Sequence, residues 1–354
     1  MPTWKQLKKN PELWEVLRIR RDIIVSIRDF FQKLNFLEVS TPILQPAVIP
    51  ESYLDIFSTA ATDRSGKKNR KFLIPSPEIS IKKLLAAGAG NCFEISKCYR
   101  NRETGSNFHH YEFTMLEWYR TQANYLDILK DCRNLIIYIF SSLEKKYPQK
   151  YKNSLIYQNY KLDLKKPWEM LTVNKALQKY CGITFDQISV KNKKNRFPLH
   201  LIRNIAAKKG YAVRKENSWE ELFNQLYLNE IELHLGTNGV PTVIYDYPAP
   251  LAALAKLKNE DKRLAERFEL YLGRVELADC CSELTDFREQ KRRFEENARL
   301  IKKYAKNPII PDSDFLDALN TGLPECSGIA LGIDRLVMLF TDKQSIKETY
   351  FSVD

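Results

Sequence analysis

The sequence predicts an α+β protein built on an antiparallel sheet flanked by helices, with a mainly helical insertion at about residues 122–239. Three observations carry this expectation. Strand-like runs lie before and after the helical stretch and pair most simply as hairpins. Neither a Gly-x-Gly-x-x-Gly run nor a Walker sequence is present, so the parallel-sheet nucleotide folds are unsupported. Hydrophobic residues make up 44% and aromatics 12% of the 354 residues, which excludes a disordered chain and supplies a large core.

Residues 13–36 carry apolar side chains at helical spacing, with Ile23, Ile24, Ile27, Phe30, Phe31 and Leu34 on one stripe and Asn35 closing the run. Residues 36–42 read as a strand ending at Pro42, and a proline gives no N–H to a central ladder, so this strand belongs at a sheet edge or subunit boundary. Residues 63–71 form a basic loop. A helix follows at residues 78–87, with Ser76 as a candidate cap and Pro77 in its first turn. Residues 93–119 interleave cations, aromatics and carboxylates between two strand-like runs and predict an antiparallel hairpin suited to a nucleotide. Beyond the insertion, with its Lys/Asn-rich text at 191–196, residues 241–248 return to strand and 267–283 give further strands. A charged helix at 286–303 and a strand-turn-helix at 328–340 complete the order.

The formal net charge is +12 and the pI about 9.2. That balance suits an acidic macromolecular partner such as RNA or an acidic protein, and it equally suits a lysine-rich composition, since the lysines are scattered and no arginine-rich or aromatic-basic motif occurs. Seven unevenly spaced cysteines fit reduced, buried thiols better than a disulfide framework, and no metal-ligand spacing of Cys or His emerges. Lys5, Lys8, Lys9, Glu12 and Glu15 interrupt any signal-peptide core, and the apolar run at 135–140 is too short to span a bilayer, so a cytoplasmic protein without a membrane partner is expected.

Residues 267–276 form a candidate hairpin. A turn centred on Leu272-Gly273 places Glu269 opposite Glu276, where two carboxylates repel. A divalent cation relieves that repulsion, and Mg²⁺ held by one or two carboxylates plus nucleotide phosphates is the usual arrangement. The other reading is a solvated surface hairpin, favoured if the turn is Gly273-Arg274. Asp279, Cys281 and Glu283 share one strand face, where paired carboxylates attract an amine, although exposed strands show the same alternation. Arg335, near the start of the last helix, could meet phosphate or cover a base, or form an ordinary salt bridge.

The segment GIALGIDRLVMLF at 328–340 resembles motif 3 of class II aminoacyl-tRNA synthetases, residues 93–119 resemble motif 2, and the helix and strand ending at Pro42 resemble motif 1. Ser76-Pro77-Glu78, EFTMLEWYR at 112–120 and SELTD at 282–286 are similar to the lysyl branch. Because the motif 1 helix begins near residue 13, no anticodon-binding barrel is expected. The resemblance, which covers nearly the whole chain, is to the elongation factor P (R)-β-lysine ligase family of truncated lysyl-tRNA synthetase paralogues.

That resemblance implies one class II synthetase-like catalytic domain over residues 1–354. It implies ATP-dependent activation of (R)-β-lysine or lysine as an adenylate, then transfer to a lysine of elongation factor P, with ATP and Mg²⁺ required. It also implies an acidic, tRNA-shaped protein partner matching the basic charge, no tRNA substrate, and a homodimer through residues 18–42. Carried over by position, Arg100 binds the α-phosphate and forms the catalytic pair with Arg335. His109 lies on the γ-phosphate side, Phe113 stacks adenine against Arg335, and Asn101, Glu103 and Glu276 complete the ATP site. Glu269 and Glu276 hold Mg²⁺. Ser76 and Glu78 bind the α-side polar groups, while Glu117, Tyr119, Asp279 and Glu283 line the amino-acid pocket, with Glu283 facing the distal amine.

Three departures stand out. Arg102 lengthens the usual Arg-x-Glu to Arg-x-x-Glu, and Asp279-Cys280-Cys281 replaces the usual Asn-Gly-Phe, removing an aromatic and adding a negative charge. Ala330 stands where lysyl-tRNA synthetases have glycine, as in the ligase family, and its methyl disfavours α-lysine relative to the β isomer. A stand-alone lysyl-tRNA synthetase-like enzyme and a catalytically silent RNA-binding or regulatory paralogue are the alternative functions.

Overall fold

The apolar stripe at the N-terminus becomes helix α2 (Glu12–Lys33), after a short α1 (Trp4–Lys9), and buries Val16, Ile19, Ile23, Ile27, Phe30 and Phe31. It stops where Asn35 takes a left-handed φ of 57°, a conformation asparagine tolerates better than most residues. The computed structural model describes residues 3–51, 54–103, 105–191, 193–303 and 309–351.

The strand expected to end at Pro42 is reduced to β1 (Leu37–Glu38), which pairs in parallel at a sheet edge. β2 (Leu44–Gln45), β3 (Ser58–Thr62) and β4 (Lys68–Leu73) form a small separate sheet; of the residues expected as a basic loop, 63–67 make the exposed turn between β3 and β4, and 68–71 belong to β4 itself. Helix α3 (Glu78–Ala86) leads to the predicted hairpin, β5 (Cys92–Tyr99) and β6 (Glu112–Thr121). Then come α4 (Tyr125–Lys146), a ribbon of β7 (Leu155–Tyr157) and β8 (Tyr160–Leu162), and β9 (Glu169–Thr172). Helices α5 (Val173–Ala176), α6 (Leu199–Lys208) and α7 (Trp219–Leu226) precede β10 (Thr242–Pro248), β11 (Leu264–Leu272) and β12 (Val275–Ser282). Helices α8 (Phe287–Lys303) and α9 (Ser313–Gly322), strand β13 (Cys326–Gly332) and helix α10 (Ile333–Phe340) close the chain.

The main sheet has eight strands in the order β1-β5-β6-β13-β12-β11-β10-β9. Its inner six strands are antiparallel and only the edge pairs β1·β5 and β9·β10 are parallel. Side-chain alternation splits the sheet into two chemically different faces. Leu116, Trp118, Phe268, Leu270, Ala278, Cys280, Ile329 and Leu331 join α2, α4 and α10 in the principal core. Each large apolar side chain fully buried there contributes about 1.5–3 kcal/mol. The opposite face, bearing Glu117, Tyr119, Asp279, Cys281, Gly328 and Ala330, lines a cleft.

The helical stretch at 122–239 packs in two parts. Helix α4 sends Ile128, Leu135, Ile136, Ile139 and Leu143 into the principal core beside α2, and β9 extends the main sheet. Residues from Val173 to Leu235, including Trp219, Phe223 and Leu226, form a second core against Ile244, Tyr247 and Tyr271.

One register expectation is overturned. The β11–β12 turn is Gly273-Arg274, with φ of 55° and 69°, the doubly left-handed pair of a two-residue hairpin. A bulge between Leu270 and Tyr271 shifts the ladder, so Glu276 faces Tyr271 and Glu269 faces Asp279. The direct Glu269–Glu276 pairing, on which the repulsion argument for a cation rested, does not form.

Candidate active site

The cleft on the polar face of the sheet has a volume of about 1320 Å³. Its floor follows from the ladder register. Glu269, Asp279, Ala330, Glu117 and Glu94 occupy consecutive cross-strand positions on β11, β12, β13, β6 and β5. Two residues along, Arg267, Cys281, Gly328, Tyr119 and Cys92 form the parallel row. Ala330 therefore sits between two carboxylates, and its small side chain leaves space above it.

At one end of the cleft the cations gather. Arg335, in the first turn of α10, places Nη1 2.7 Å from the Glu276 carbonyl and 3.3 Å from Glu276 Oε2, and Nη2 3.1 Å from His109 Nε2. The start of α10 is pinned from behind. Arg20 of α2 pairs with Asp334 Oδ1 at 2.5 Å, and the Thr114 N–H donates to Asp334 Oδ2 at 2.7 Å, tying α10 to β6. Burial and the Arg335 charge push His109 below the usual histidine range, so it meets Arg335 as a neutral ring. Although burial opposes ionisation of Glu276, Arg335 and Arg267 outweigh it and hold this carboxyl below its usual range.

Arg100, at the end of β5, lies over the Phe113 ring at 5.2 Å and 3.7 Å from Glu103 Oε1. The extra residue Arg102 adopts φ 60°, is exposed and reaches Asp55 at 3.3 Å. It bulges outward, so Glu103 still returns to Arg100. Asn101 is not on the cleft wall, contrary to its expected place in the ATP site: its carboxamide oxygen accepts the Arg102 N–H at 2.9 Å and stabilises the bulge.

Glu269 is held differently from the expectation of a cation ligand. Its Oε1 accepts from Arg267 at 2.8 Å, and its Oε2 accepts from Tyr247 at 2.5 Å and Tyr271 at 2.7 Å. Burial pushes its carboxyl up to about 7 against the pull of Arg267. Among the described residues, no group of three or more His, Cys, Asp or Glu side chains could hold a metal by itself. The hard-oxygen donors here suit Mg²⁺ only together with a nucleotide's phosphates, and Glu276, ionised and partly exposed, fits that role better than the saturated Glu269.

At the other end lies an acidic pocket. The Ser76 hydroxyl accepts the Glu78 N–H at 3.0 Å and donates to Glu117 Oε1 at 2.5 Å, while the Tyr119 hydroxyl donates to Glu117 Oε2 at 3.0 Å. Burial, reinforced by the Glu78 charge, pushes Glu117 up to about 8. Asp279, the departure from asparagine, is met by a forked Arg267, with Nε to Oδ1 2.9 Å and Nη2 to Oδ2 2.8 Å, so its added charge is largely offset locally. Cys281 Sγ lies 3.6 Å from Glu283 Oε2. Lys82, only 1% exposed, reaches Glu78 Oε1 and Glu283 Oε2 at 2.5 Å each.

The sequence profile described as tRNA synthetases class II (D, K and N) matches residues 3–352. The chain belongs to the class II tRNA synthetase (D, K and N) family. Within this family it is similar to proteins named elongation factor P (R)-β-lysine ligase from Salmonella paratyphi B, Salmonella schwarzengrund and Salmonella heidelberg. Each is 34% identical, over 99% of this chain and 98% of the relative.

The class II tRNA synthetase cleft gathers every expected site residue except Asn101. Two further residues escaped the sequence reading. Lys82 stands four residues after Glu78, and that spacing alone signals an ordinary helical ion pair. Arg267 shares a strand face with Glu269, a period-two signal that was readable and names the partner of both Glu269 and Asp279.

Proposed function

We propose that the chain is an AMP-forming ligase that activates (R)-β-lysine with ATP and transfers it to a lysine side chain of elongation factor P. One observation carries this reading: a single cleft joins a cationic end, Arg100 and Arg335, to an acidic end built from Glu78, Glu117 and Glu283. The first suits a triphosphate and the second a diamino acid.

In the first step a carboxylate oxygen of the amino acid attacks the α-phosphorus and pyrophosphate leaves. Arg100 and Arg335 offset the charge that develops on the phosphoryl oxygens, and the rigid sheet holds the reactants in line. A Mg²⁺ ion bound with the nucleotide would neutralise further phosphate charge, with Glu276 as its main protein ligand and Glu269 beside it. In the second step the acceptor lysine amine attacks the activated carbonyl, an amide forms and AMP leaves. No side chain is needed as a nucleophile. The relatives' name supplies the acceptor and the β isomer.

ATP–pyrophosphate exchange with lysine isomers tests the first step, and a mass increase on elongation factor P tests the second. Exchange favouring (R)-β-lysine is expected. Strong exchange with α-lysine together with tRNA charging would overturn the assignment, and no exchange at all would mark a silent paralogue. Ala330 allows a finer test, because its methyl lies between Asp279 and Glu117. Ala330→Gly is expected to improve α-lysine relative to (R)-β-lysine by about 10-fold, the usual scale for one methyl or methylene in a pocket. An unchanged ratio would remove Ala330 from the specificity argument.

A homodimer through residues 18–42 completes the proposal. Val25, Leu34 and Leu37 are 49%, 46% and 54% exposed along this region, and a partner copy would cover them. Light scattering should return twice the chain mass of 41.5 kDa, and a stable monomer would refute it. Among the described residues no helix is long and apolar enough to cross a membrane, and a cytoplasmic setting is part of the same proposal.

A further inference from the structure

Lys82 lies on α3 at the back of the acidic pocket, 1% exposed, and Glu283 beside it is equally buried. A lysine in such a place stays charged only if carboxylates surround it. Burial pushes the ammonium down, but Glu283 and Glu78 outweigh it and hold the group well above the usual lysine range. The contacts are selective. Lys82 takes Oε1 of Glu78 and Oε2 of Glu283, at 2.5 Å each, and the Cys281 thiol leans on that same Oε2. Glu283 Oε1 lies against the backbone of Gly328, where a Cβ would stand 2.7 Å away.

We infer that Lys82 is a positioning residue of the amino-acid pocket: its ammonium fixes one oxygen of Glu78 and one of Glu283, so that the remaining oxygens receive the two ammonium groups of a diamino acid. The inference rests on the proposed activation of such a substrate and deepens it, because Lys82 sets the separation between the two amine-binding carboxylates. It also favours the ionised form of Glu283 against the pull of burial. Without the cation, burial and the Glu78 charge would act on Glu283 unopposed, and Glu283 would hold a proton instead of binding an amine.

The other groups facing this pair are Cys281 and Asp279 from β12, Glu117 and Tyr119 from β6, and Cys326 from β13. None is a cation. Asp279 has its own partner in Arg267, and Lys83, next to Lys82 on α3, is engaged by Asp312 and Asp314. Lys82 is thus the internal counter-charge for Glu283, whose carboxyl burial pushes up to about 7 even against the pull of Lys82.

The test is pyrophosphate exchange by the full chain with (R)-β-lysine and with α-lysine across pH, in the wild type and in Lys82→Met. At neutral pH the variant's KM for the amino acid is expected to rise at least about 10-fold, with the KM for ATP held within about twofold. Its acid limb is expected to move up by about one pH unit or more, so that activity recovers in alkaline buffer. A purely structural role would raise both KM values together and leave the pH profile in place. That result, or unchanged amino-acid kinetics, would overturn the inference. If Lys82→Met does not fold, Lys82→Gln, which removes the charge but keeps a hydrogen-bond donor beside Glu78 and Glu283, replaces it. The same upward shift of its acid limb is expected, and an unshifted limb would overturn the inference. A wild type inactive with every lysine isomer would instead sink the proposed function, separating the two failures.

Discussion

Replacing Arg100 by alanine is expected to lower ATP–pyrophosphate exchange by about 10³-fold or more while leaving the fold intact. The guanidinium sits at the cationic end of the cleft, over Phe113 and beside Glu103, with Nε 3.4 Å from the Pro75 carbonyl. None of these contacts is central to the core, so circular dichroism and thermal unfolding should change little. The chemical loss should be large because phosphoryl transfer depends on charge placed in advance where charge develops. One arginine in such a reaction accounts for about 10³–10⁵ in rate, and one lost oxyanion donor for about 10²–10³. A folded Arg100→Ala protein with unimpaired exchange would contradict the phosphate role. Arg100 covers Phe113, while Arg335 is engaged by the Glu276 and Phe108 carbonyls and by His109.

Gly328→Ala should be the second most damaging change, and it acts on the opposite end of the cleft. Gly328 lies on β13 between Cys281 and Tyr119. An added Cβ would run into the Tyr119 ring and stand 2.7 Å from Glu283 Oε1. Both are fully buried and cannot step aside without breaking the Tyr119–Glu117 hydrogen bond or the Lys82–Glu283 pair. Overpacking of this kind costs about 1–3 kcal/mol of stability. Displacing two pocket side chains by about 1 Å is expected to cost about 100-fold in kcat/KM for the amino acid. Nucleotide binding, measured by calorimetry with a non-hydrolysable ATP analogue, should survive because Arg100 and Arg335 are untouched. Wild-type amino-acid kinetics in the variant would show that Tyr119 and Glu283 do not form the amine end.

The two variants address halves of the site that were unequally legible. At the cationic end, the resemblance to motifs 2 and 3 grouped Arg100, His109, Phe113 and Arg335, and the structure brings them to one cleft because the β5–β6 hairpin lies beside β13, which leads into α10. Asn101 failed because the inserted Arg102 turns left-handed, and a backbone bulge redirects its neighbour. On the carboxylate side, the pairing of Glu269 with Glu276 failed by one bulge at Leu270/Tyr271 and a turn one residue later than expected. Period-two arithmetic assumes an unbroken ladder, and a single bulge resets it.

By itself the sequence determined the antiparallel core and its main hairpins, and its resemblance to class II synthetases gave the three motifs and nearly the full set of cleft residues, while β2, β3, β4, β7, β8 and β9 were not read from it. The core and its hairpins follow from local periodicity and turn chemistry, which the chain carries wherever it lies, whereas the motifs and cleft residues follow from the resemblance to class II synthetases. Only the tertiary structure decided which charges meet. Lys82 and Glu283 stand far apart in sequence, as do Arg20 and Asp334, and the fold brings each pair to 2.5 Å. Ion pairing falls steeply with distance and strengthens as water is excluded, and both quantities are set by packing between distant segments rather than by any neighbouring residue.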